Sequence, residues 1–169
     1  MKPKKLVLMG LLTAIALTIF MVEAQISIPF PVPGVKLGLS NIVTVFAVFV
    51  LGPAEGMLIL TARVFLGAVF SGNFSTIFYS AAGGILAILA TIFLKKLLTE
   101  NQIWVCGCVG AMAHCIGQMA VAILLTATPA LVVYLPVMLL CAMGTGLFTG
   151  LCAQLTVNRG KKLWKTFLN

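Results

Sequence analysis

Arg63 is the residue of this sequence that most needs a chemical explanation. It lies in an otherwise uncharged apolar stretch. A guanidinium there is costly unless it faces the interior of a helix bundle or a wet cavity. Pairing with Glu55 would have to reach back two helical turns, about 12 Å along one helix, which is too far. A ligand-binding role is therefore favoured over an ion pair on that helix or a side chain that snorkels to an interface. Other polar groups also interrupt apolar runs: Asn41, Asn73, Ser75, Tyr79, Ser80, His114, Gln118 and Tyr134. Arg63 and Lys36 can neutralise an acidic group. Asn41, Asn73 and Gln118 offer both donors and acceptors, and Tyr79 can stack or donate a hydrogen bond. These types suit the holding of a small anionic molecule.

Bond-making chemistry is harder to build. Prenyl transfer to a diphosphate, for example, needs carboxylate clusters to hold magnesium. The chain has three acidic residues, Glu23, Glu55 and Glu100, and no aspartate. Their spacing does not let them converge on one metal. His114 and Gln118 share a helix face, but with one histidine and no neighbouring acid the imidazole is expected to pack or to touch ligand, and no metal site is expected. The five cysteines, Cys106, Cys108, Cys115, Cys141 and Cys152, form no C-x-x-C and read as small packing residues.

The elements that must position these groups are membrane helices. Of 169 residues, 62% are hydrophobic and 8% charged, against about 25% charged in a soluble domain. A span takes about 20 residues, so six spans nearly use up the chain as a single transmembrane domain, residues 1–169. The fold class expected is all-α, a polytopic bundle with helices at about 6–24, 37–51, 55–70, 75–94, 103–127 and 131–157. The first stretch exceeds the apolar core of a signal peptide and reads as an uncleaved helix. The net charge of +8 does not point to nucleic acid, because the basic residues flank apolar runs. Lys2, Lys4, Lys5, Lys95, Lys96, Arg159, Lys161, Lys162 and Lys165 all fall on one side if the spans number six, leaving Lys36 on the other. The positive-inside rule then puts both termini in the cytoplasm of a multi-pass cell-membrane protein, with the basic ends against anionic lipid headgroups. In this arrangement the polar groups gather between the midplane and the outer surface. Residues 25–36 alternate prolines, which forbids a helix and leaves a stiff apolar loop able to lie over a cavity as a lid.

Small residues such as Gly146 and Gly150, and Ala81 to Gly84, allow close helix packing. Gly10 and Ala14 either serve the same end or face a partner subunit in the membrane.

The segment Pro33-Gly34-Val35-Lys36-Leu37-Gly38-Leu39-Ser40-Asn41-Ile42-Val43-Thr44 resembles the signature PGVKLGLANIVT of the Gx transporter family, also labelled heptaprenyl diphosphate synthase component I. Ser40 stands where that signature usually has alanine. Leu51-Gly52-Pro53, Arg63 to Gly67, Ser71-Gly72-Asn73 and Tyr79 to Gly84 extend the likeness over most of the chain. That family is similar to the substrate-binding S components of energy-coupling factor (ECF) transporters. The resemblance implies six helices, a substrate taken from outside and a lid after the first helix. It also implies a small-residue motif on that helix that meets the coupling subunit, and an ATPase pair elsewhere that powers transport. Gly10-x-x-x-Ala14 is the loose equivalent of the motif, and its first position departs from it. No Walker A pattern is present.

The function expected is thus a membrane subunit, not an enzyme and without a cofactor, that binds a small anionic substrate for uptake. The substrate contacts expected are Lys36, Asn41, Arg63, Asn73, Tyr79 and Gln118, with Gly10 and Ala14 toward the coupling subunit. The alternative is a non-catalytic membrane component of polyprenyl diphosphate or quinone metabolism, or of a quinone or flavin electron-transfer system.

Overall fold

The computed structural model describes residues 3–25 and 38–168. The described residues are almost entirely helical. α1 spans Pro3–Gln25, α2 Asn41–Val50, α3 Pro53–Ser71, α4 Ser75–Lys95, α5 Ile103–Thr126 and α6 Leu135–Leu168, with short 3-10 helices at Glu100–Gln102 and Pro129–Tyr134. α1, α3, α4, α5 and α6 are long and apolar enough to cross a bilayer. Their outward faces carry large apolar side chains, among them Leu6, Phe65, Phe78, Phe93, Leu140 and Phe148. Such a surface is stable against lipid and unstable against water.

Where helix ends differ from those expected, proline explains much of the difference. Helix two begins at Asn41 and not at 37, because Leu39 and Ser40 form a turn ahead of it. Pro53 does not merely stop α2 but is the first residue of α3, a position where its missing N–H costs nothing. α6 starts at Leu135 and not at 131. Pro136, in its first turn, would clash with the carbonyl of residue 132 were the α-helix continuous from 131. Its far end runs to Leu168, well past 157, carrying Arg159 and Lys161 on a continuous helix.

α2 is the exception in length. Ten residues rise about 15 Å, half of an apolar core about 30 Å thick. Its lower end is held firmly. Leu51 and Gly52 donate to Ala47 O, Lys95 Nζ donates to Val48 O at 2.6 Å, and Phe46 meets Trp164 of α6 edge to face at 5.3 Å. The same end of the bundle collects the ion pairs Lys5–Glu55 and Lys161–Glu100.

The tightest packing joins α5 to α6. A Cβ on Gly107 would collide with the backbone of Gly150 and lie 2.5 Å from Gly146 O, so the two helices touch through bare backbone. Gly10 has open space beside it and Ala14 is exposed on the same helix. Gly107→Val should accordingly lower stability by roughly 1–3 kcal/mol through overpacking, while Gly10→Ala, with open space beside it, raises it by up to about 1 kcal/mol. Thermal unfolding of the detergent-solubilised variants checks both.

Candidate functional site

Directly ahead of the short α2, Gly38 to Ser40 form a turn and not a helix, inside the bundle. Irregular backbone at that depth is tolerated where protein buries it or a cavity needs it. Here Gly38, Ser40 and Asn41 are all buried. Gly38 has φ +77, and a Cβ there would lie 2.9 Å from Asn41 Nδ2 and 3.1 Å from His114 Cδ2. Only glycine meets both demands. Its N–H donates to Glu23 Oε1 at 2.6 Å, which ties the last turn of α1 to the approach to α2.

Around this turn the helices converge on a buried polar group. Glu23 and Phe20 come from α1, Gly38 and Ser40 from the turn, Arg63 from the middle of α3, Ser80 from α4, and His114 and Gln118 from α5. Together they meet in one closely packed polar cluster. Arg63 and Glu23 are each 2% exposed. Arg63 Nη1 donates to Ser40 Oγ, and the guanidinium stands over the Phe20 ring at 5.8 Å from its centroid, a favourable placement for a cation. Glu23 acts on Arg63 as an electrostatic partner. A desolvated charge is tolerable only with such compensation.

The expected contacts divide. Arg63 and Gln118 come together here, and Asn41 stands beside Gly38 at its margin. Asn73 does not: it sits in the exposed turn between α3 and α4, where its Oδ1 accepts from Ser75 N at 3.1 Å and Ser75 Oγ at 2.6 Å and so starts α4. Tyr79 is buried among Ala111, Cys115, Met119 and Met138, in an apolar cluster apart from the polar one. Lys36 and the proline loop lie outside the described residues. Sequence reasoning missed Glu23 and Ser40. Glu23 was discoverable: Glu55 and Glu100 both belong to the opposite, lysine-rich end, so Glu23 is the one carboxylate left for Arg63.

The remaining acids have partners of their own. With Glu55 on Lys5 and Glu100 on Lys161, the carboxylates occupy three separate places.

A family model, heptaprenyl diphosphate synthase component I, matches residues 12–156. The chain belongs to that family. The match takes in every residue of the polar cluster, from Phe20 to Gln118. No curated protein and no solved structure matches the chain. The family's description names one component of a synthase, which implies a partner component.

The mutual dependence of Glu23 and Arg63 is measurable in this component I protein. Glu23→Gln and Arg63→Gln should each cost about 3–5 kcal/mol, the loss typical when one partner of a buried charge pair is removed. The double variant should cost less than their sum by about 1 kcal/mol or more. Unfolding in detergent gives the cycle, and simple additivity would show that the two charges act independently.

Proposed function

We propose that the chain is the substrate-binding subunit of an uptake system in the cell membrane, similar to an ECF S component. It takes a small anionic molecule from the outer side. The observation that carries this reading is the polar cluster set deep in an apolar bundle by a helix of half length. Polar groups at that depth are expensive, and a bundle held together for stability alone is better built from apolar side chains. Arg63, Asn41 and Gln118 make the contacts, with Glu23, Ser40 and His114 around them; Lys36 adds a second cation from the loop.

The orientation follows from charge. Lys5, Lys95 and Lys161 share one end of the bundle, and the positive-inside rule assigns that end, with both termini, to the cytoplasm. The polar cluster then lies toward the outer side. A coupling subunit with an ATPase pair supplies the energy, and the exposed strip of α1 bearing Gly10 and Ala14 supports docking there.

The family description favours a second reading, a non-catalytic membrane component of polyprenyl diphosphate metabolism. Arg63 suits a diphosphate as well as a carboxylate. The scatter of the three glutamates argues against a catalytic magnesium site in this chain.

Mass spectrometry of the protein purified in mild detergent separates the two. A copurifying water-soluble anion, together with a copurifying ATPase complex, is expected for uptake; a prenyl chain establishes the second reading in its place. Membrane-impermeant thiol labelling should leave cysteines introduced at both termini unmodified in intact cells, and modification of either end would invert or break the proposed topology.

A further inference from the structure

The buried guanidinium leaves one edge uncommitted. Arg63 Nη1 is engaged by Ser40, but Nε and Nη2 meet no acceptor among the described residues. Glu23 acts on Arg63 through its field; its Oε1 accepts from the Gly38 N–H, and no hydrogen bond joins it to Nε or Nη2. Nε–H and Nη2–H point the same way from one side of a planar group. That side matches the two oxygens of a carboxylate, or two of a phosphate, in parallel hydrogen bonds. Buried donors without acceptors are rare in folded proteins. Asn41, 5% exposed, likewise has neither amide atom engaged among the described residues.

Backbone does not offer an alternative anion cradle here. The first amides of α2, on Asn41, Ile42 and Val43, already donate to the carbonyls of Gly38, Leu39 and Ser40 at 2.9, 3.2 and 3.2 Å. Recognition at this turn therefore falls to side chains.

Building on the binding-subunit reading above, we propose that the molecule held here carries a carboxylate or phosphate group seated on the Nε–Nη2 edge of Arg63, with Asn41 hydrogen-bonding the polar atoms beside it. Ser40 is a positioning residue, since it holds the third nitrogen and so turns the free edge toward the ligand. The site selects planar, two-oxygen geometry and not negative charge alone.

The test uses the full chain in detergent. Thermal unfolding is followed at constant ionic strength in sodium chloride, sodium acetate and sodium phosphate, beside native mass spectrometry of the copurifying molecule. Acetate or phosphate should stabilise the wild type relative to chloride, and which of them does so identifies the oxyanion. Arg63→Lys keeps the charge and loses the edge. It should weaken the oxyanion response by about tenfold or more, as far as Arg63→Gln does. A lysine variant that retains the full response overturns the proposal, because a point charge would then suffice. Asn41→Asp, nearly isosteric, places a negative charge beside the ligand and should also weaken the response; an unchanged response overturns Asn41's part. A neutral copurifying molecule with no oxyanion response overturns the proposal and leaves the binding-subunit reading standing. No bound molecule and no response in any salt overturns both.

Discussion

A guanidinium held out of water in the middle of an apolar bundle sets the terms for the rest of this structure. Arg63 needs a counter-charge, a hydrogen-bond acceptor and a polarisable surface, and it obtains them from Glu23, Ser40 and Phe20. Those three residues come from α1 and from the turn ahead of α2, so satisfying one side chain on α3 obliges two other segments to converge on it. The position of α1 beside α3 and the burial of the turn follow from that demand as much as from apolar packing.

The half-length α2 is what makes the convergence possible. A full helix would place its own side chains at mid-depth and leave no backbone free to bend there. Ending the helix at Asn41 lets Gly38 adopt a left-handed conformation and send its N–H to Glu23. The opposite wall, α4 and α5, contributes Ser80, His114 and Gln118 from regular helices whose packing is fixed by close contact. A wall of regular helices thus faces an irregular one.

Much of this was legible in the sequence, for physical reasons. Long uncharged runs bounded by lysines announce membrane helices, because few charges can enter lipid. Arg63 stood out by the same logic, as did Asn41 and Gln118. The ends of α2 and α6 were harder to place. Apolar composition says that a segment avoids water but not where the helix stops, and the decisive features were a glycine at positive φ and a proline in the first turn. Tyr79 and Asn73 lie among other partners, in an apolar cluster and an exposed turn. A polar group near a span's end can cap a helix or sit with its hydroxyl at the edge of an apolar cluster, and sequence position does not separate these uses from ligand contact. Glu23 was overlooked because it lies in the last turn of the first helix, where a carboxylate passes for an interfacial residue until its partner is known.

α2 is a rod anchored at one tip. Its Val50 end is fastened by the lysine of α4, by the edge-to-face aromatic pair with α6 and by the glycine–proline corner into α3, while its Asn41 end carries the turn that meets Glu23 and Arg63. Anchorage and the polar turn therefore sit at opposite extremities of the same ten-residue element. Residues 39–41 lie away from those fastenings, so a change of side chain at this tip leaves the moorings at the other untouched, provided position 40 keeps an acceptor for Arg63.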